Sequence, residues 1–114
     1  MITARRQVIE RFVRAMTETI AIYKTEKEWS KGVIGKYLRI NDAANLERSY
    51  NSFRPLFPEA PQPIVDGVKT LLDDLAGKTP KAAEANPKEF IDGSFVDEME
   101  RLVFIKQLYR NRPQ

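Results

Sequence analysis

From Val8 to Tyr23 the large apolar side chains return at steps of three and four residues: Val8, Ile9, Phe12, Val13, Met16, Ile20 and Tyr23. Only a backbone with a period near 3.6 residues places such a set on one face, so this stretch predicts an amphipathic α-helix. Arg5, Arg6, Glu10, Arg11, Arg14 and Glu18 fall on the other face, and Thr3 is positioned to cap the start. No stretch of the chain alternates with period two for long enough to require a strand. The expectation is therefore an all-α protein of about five helices, in a small orthogonal or bundle-like array. At 114 residues it should form a single helical domain spanning 1–114.

Thr25-Glu26-Lys27-Glu28 has the spacing of a capping box and predicts the start of a second helix. Its buried side is expected to use Trp29, Val33, Ile34, Tyr37 and Leu38, with Gly32 and Gly35 permitting close helix contact. Asn41 and Asp42 cap a short third helix carrying Ala43, Ala44, Leu46, Tyr50 and Phe53, which Pro55 ends. Pro55, Pro58, Pro61 and Pro63 then impose an extended connection, with Leu56 and Phe57 as apolar anchors. The spacing of Ile64, Val65, Val68, Leu71, Leu72 and Leu75 predicts a fourth helix over about 63–76, opened by Pro63 and stopped at Gly77. Residues 77–87 are poorest in large apolar side chains and read as a mobile loop with one helical turn. Asn86-Pro87 begins a turn bearing Phe90 and Ile91, and Ser94 caps a last helix that buries Phe95, Met99, Leu102 and Ile105.

Composition removes several kinds of chemistry. The chain has no histidine and no cysteine, so the usual general base near neutral pH, thiolate nucleophiles and disulfides are all missing. Gly77-Lys78-Thr79 invites comparison with a phosphate-binding loop, but the required upstream glycine position is Leu72, and a helix precedes where a strand should stand. Asp66, Asp73 and Asp74, and again Asp97, Glu98 and Glu100, lack the alternating spacing of a metal-binding loop and read as solvated helix faces. The net charge is +3, concentrated as +5 in residues 1–39. Glu10, Glu18, Glu26 and Glu28 interrupt that basic run, so no nucleic-acid partner is expected. Trp29, Tyr37, Tyr50 and Phe53 read as core in preference to a ligand pocket. No catalytic, cofactor-binding or metal-binding residue is assigned, no cofactor is expected, and the chain is not expected to be an enzyme. No apolar run approaches a membrane span, and the first residues lack the apolar stretch of a signal peptide.

Read in order, VIERFVRAMTETIAIY (8–23), KTEKEWSKGVIGKYLRI (24–40) and residues 41–47 form a pattern that continues through Leu56-Phe57-Pro58, PIVDGVKTLLDDL (63–75), residues 86–92, residues 94–98 and Phe104-Ile105-Lys106-Gln107-Leu108-Tyr109. This resembles the C-terminal part of periplasmic substrate-binding proteins of ABC transporters, of the nitrate-, sulfonate-, taurine- and thiamine-precursor-binding type. The resemblance implies solute capture and delivery to a membrane permease by the intact periplasmic parent. It implies a structural, non-catalytic role for this piece, which lacks the α/β lobes and carries no assignable ligand-binding residue. Such proteins often break the helix with a small residue before the final Phe-Ile-x-x-Leu-Tyr. Arg101-Leu102-Val103 stands there instead, so an unbroken last helix is expected. Helices that cover a lobe elsewhere would here leave apolar faces open, and self-association is expected to hide them, with helix exchange across 55–63 or 77–87 as one route. The alternative reading is a free-standing helical protein–protein interaction module.

Overall fold

The computed structural model describes residues 4–112. The described residues form six α-helices and three short 3₁₀ segments, with no strand, so the protein is all-α. Among the described residues no helix is long and apolar enough to cross a membrane. They fall into two compact units, residues 4–61 with 96–112 and Gln62–Phe95.

In the first unit α1 spans Arg6–Thr25, α2 Lys27–Leu38 and α3 Ala43–Phe53. The expected cap at Thr3 lies outside the described residues. The expected capping box does not form: Thr25 remains the last residue of α1, and its hydroxyl donates to the Ala21 carbonyl at 2.7 Å. With that hydroxyl engaged one turn back, α2 starts from Glu26 without a side-chain cap bond. The face of α2 differs accordingly. Trp29, Tyr37 and Leu38 are exposed, Val33 and Ile34 are half-buried, and the one fully buried residue of α2 is Ser30. Gly35 does permit a close approach, since a β-carbon there would stand 3.0 Å from the Ile40 carbonyl oxygen and 3.5 Å from Leu46 of α3. A β-carbon at Gly32 would meet nothing within 4 Å, so that glycine serves no such contact. Asp42 caps α3 as expected, accepting from the Asn45 amide at 2.7 Å.

The buried face of α1 is offset from the large apolar stripe. Thr17, Ile20 and Ala21 are buried, whereas Val8, Phe12 and Met16 are exposed. Small side chains at Thr17 and Ala21 let neighbouring elements approach closely, and the Thr17 hydroxyl is satisfied by donating to the Val13 carbonyl at 2.8 Å. Against α1 packs α6, Phe104–Arg110. The core there consists of Val96, Met99 and Ile105 with half-buried Val13, Ala60, Phe104 and Tyr109.

The last helix is broken, contrary to the expectation of an unbroken one. Helix α5 covers Ser94–Arg101, and α6 begins only after Val103, which adopts φ 60° and ψ 12°. The break turns Leu102 outward to 55% exposure while Met99 and Ile105 are buried. Ser94 is itself helical and is held by Asp92, whose carboxylate accepts from its amide at 3.0 Å. A left-handed conformation costs an L-residue roughly 1–2 kcal/mol and is least suited to a β-branched one. Val103 is also 43% exposed, so truncating it removes little packing. Val103→Gly should stabilise the protein by about 1 kcal/mol in urea denaturation, whereas Val103→Ala, still left-handed and still bearing a β-carbon, should not.

In the second unit α4 spans Val65–Ala76, beginning two residues after Pro63 because Ile64 is extended. Gly77 ends it with a right-handed backbone, φ −63°, and the Lys78 and Thr79 amides return to the Leu75 carbonyl. The 3₁₀ segments Pro80–Glu84 and Pro87–Phe90 contact α4, the second capped by Asn86. No residue of α4 is fully buried, and Ile64, Leu71 and Leu75 are exposed.

Candidate functional site

The residues weighed for chemistry are dispersed. Asp73 pairs with Lys69 one turn away at 2.9 Å, and Glu98 with Arg101 at 3.5 Å. Among the described residues no group of three or more acidic side chains is arranged to hold a metal ion. Gly77-Lys78-Thr79 follows a helix and forms its end, not a phosphate cradle. Of the four aromatic residues read as core, Tyr50 is buried, whereas Trp29, Tyr37 and Phe53 are exposed and do not converge.

What the first unit does assemble is a polar clasp at the C-terminal end of α1. A helix end leaves carbonyls without intrahelical donors, and here Tyr50 of α3, Ser30 of α2 and Arg54 just after α3 supply them. The Tyr50 hydroxyl donates to the Tyr23 carbonyl at 2.8 Å and more weakly to that of Lys24 at 3.4 Å. Tyr23 reciprocates, donating to the Tyr50 carbonyl at 3.2 Å, and the two rings lie 5.0 Å apart. Arg54 Nε donates to the Lys24 carbonyl at 3.3 Å, and buried Ser30 donates to Tyr23 at 3.5 Å. Burial, and secondarily Tyr50, raises the Tyr23 phenol above its ordinary value. The sequence offered Tyr50 as an apolar position; that its hydroxyl would cap another helix has no local signal.

Beside the clasp, Glu47 accepts from Lys27, from Lys31 at 3.0 Å and from Asn51 at 3.2 Å. The Lys27 hydrogen bond first, then that of Lys31, holds the Glu47 carboxyl at about 2, with partial desolvation opposing them. Lys31 is raised by Glu28 and Glu47. A carboxylate depressed in the folded state contributes stability that is fully present above its ordinary value near 4.5 and disappears as pH falls towards 2. Glu47→Gln should therefore flatten the decline in melting temperature between pH 4.5 and 2, measured by circular dichroism. Equal acid sensitivity in both proteins would show that the lysine pair contributes nothing.

Alongside these polar groups runs an open apolar surface. Val8, Phe12, Met16, Thr19 and Tyr23 succeed one another at four, four, three and four residues along α1, with Val8, Phe12 and Met16 exposed. Towards its C-terminal half the face sinks into an apolar groove of about 280 Å³ lined by Met16, Thr19, Ile20, Tyr23 and Phe57. The Phe57 ring meets Tyr23 edge-on at 5.3 Å. Leu56 and Phe57, both expected to anchor the connection, are both exposed, and of the two it is Phe57 that meets α1, through the Tyr23 ring. Removing apolar area of this kind from water favours contact with another apolar surface. Compared with protein-family models, curated proteins and solved structures, the chain matches none.

Proposed function

We propose that this chain is a non-catalytic packing element: the C-terminal helical segment of a periplasmic solute-binding protein of an ABC transporter. Solute capture and delivery to a membrane permease belong to the intact parent. The observation that carries the proposal is the open apolar face of α1, where Val8, Phe12 and Met16 lie outside the core. A helix that is apolar on two sides is suited to sit between two layers, one of them here its own unit. Leu71 and Leu75 on α4, with Ile64 just before it, are further exposed apolar side chains. The helix break before Phe104-Ile105-Lys106-Gln107-Leu108-Tyr109 lies where the resembling proteins often have one, which lends the reading further support. In isolation the open faces favour self-association.

A second reading, a free-standing interaction module, is favoured by the closure of the first unit on its own buried cluster and by its clasped α1 terminus. Calorimetry against nitrate, taurine and a pyrimidine should give no heat with this chain alone, and stoichiometric binding would overturn the segment reading. An upstream reading frame encoding α/β lobes, beside permease and ATPase genes, favours the transporter parent. A gene neighbourhood without them favours the module.

A further inference from the structure

We infer that the open face of α1 is self-complementary and docks a second copy of this chain in antiparallel orientation about a two-fold axis near the middle of the helix. The inference rests on the reading that the chain works through its open apolar faces, and it concerns the chain on its own.

Three observations fix the occupant. The face is unlike at its two ends: Val8 and Phe12 project from the N-terminal half, Phe12 at 61% exposure, whereas the C-terminal half holds the groove around Thr19 and Tyr23. An antiparallel pair centred between residues 15 and 16 sets Phe12 of each copy over Thr19 of the other, and Val8 over Tyr23. Each protrusion then enters the other copy's groove, as an isologous interface requires. A parallel pair would oppose protrusion to protrusion and groove to groove.

The charges at the helix ends agree. Exposed Arg5 and Glu26 bound α1 as its first and last flanking residues. The same register brings each Arg5 to the partner copy's Glu26, twice by symmetry. Arg5 also lies at the unfavourable, positive N-terminus of its own α1, where the first turn has no acidic residue, whereas Glu26 stands between the C-terminus of α1 and the N-terminus of α2. An antiparallel neighbour presents its negative pole to Arg5. Finally, α1 has 20 residues, a length of about 30 Å, so the apolar stripe from Val8 to Tyr23 runs along most of the helix and is not confined to one end.

The test is light scattering over a concentration series with the full chain. Wild type should approach twice 13.2 kDa as concentration rises. Phe12→Asp, at an exposed position that leaves the fold intact by circular dichroism, should raise the dissociation constant by about tenfold or more. Arg5→Glu and Glu26→Arg should each weaken the dimer, and the double swap should recover most of the loss. A monomer at every concentration, a dimer indifferent to Phe12→Asp, or a double swap no tighter than the single ones would each overturn the inference. A monomer that instead binds separately produced α/β lobes would overturn self-docking while leaving the transporter reading standing.

Discussion

Tyr50→Ala should lower the stability of the protein by about 3–5 kcal/mol, seen as a shift of the urea midpoint at unchanged slope. Tyr50 is 2% exposed and performs two tasks at once. Its ring fills the space between α3 and α1 against Tyr23, and its hydroxyl satisfies carbonyls at the end of α1. Truncation removes the ring, leaves a cavity and strips the carbonyl of Tyr23 of its shortest donor. Tyr50→Phe separates the two contributions. It keeps the ring and should cost only about 1–2 kcal/mol, because Ser30 remains at 3.5 Å from the Tyr23 carbonyl and Arg54 at 3.3 Å from that of Lys24. Since a domain of this size is stable by roughly 5–15 kcal/mol, Tyr50→Ala approaches the threshold of unfolding. Equal losses for the two variants would assign the whole effect to the hydroxyl and contradict the packing role of the ring.

Ile105→Ala should cost about 2–4 kcal/mol, and Leu102→Ala less than about 0.5 kcal/mol. The two positions lie three residues apart, and in one continuous helix they would share a face and a fate. The left-handed residue Val103 separates them: Ile105 joins Val96 and Met99 in the core, while Leu102 faces water. Similar losses at both sites, measured by the same denaturation, would mean that α5 and α6 run through as one helix in solution.

The helical class was legible because period 3.6 governs the apolar residues of α1, α3 and α4, and no period of two competes with it. Asp42 was legible as a cap, and Asn86 as the opening of a turn, because their side chains act on amides two or three residues away. What escaped depends on choices between partners that a local pattern cannot rank. Thr25 could cap forward or bond backward, and it bonds backward to Ala21. The broad stripe of α1 could be buried along either edge, and the edge with Thr17 and Ala21 is buried because small residues allow closer packing. Trp29 and Tyr37 have helical spacing suited to a core, yet Ser30 holds the buried position of α2 because its hydroxyl finds the Tyr23 carbonyl. The break at Val103 was hidden because valine is among the residues least expected in that conformation. The open face was only half legible: spacing revealed its existence, but which of its residues stay outside the core follows from tertiary packing alone.

Self-docking through the open face of α1 is followed most directly by a dilution series read on the amide resonances of ¹⁵N-labelled protein. Concentration-dependent shifts should concentrate on Val8, Phe12, Met16, Thr19 and Tyr23 and the residues flanking them. Shifts confined to the charged edge at Arg11 and Arg14, or resonances indifferent to concentration, would contradict it.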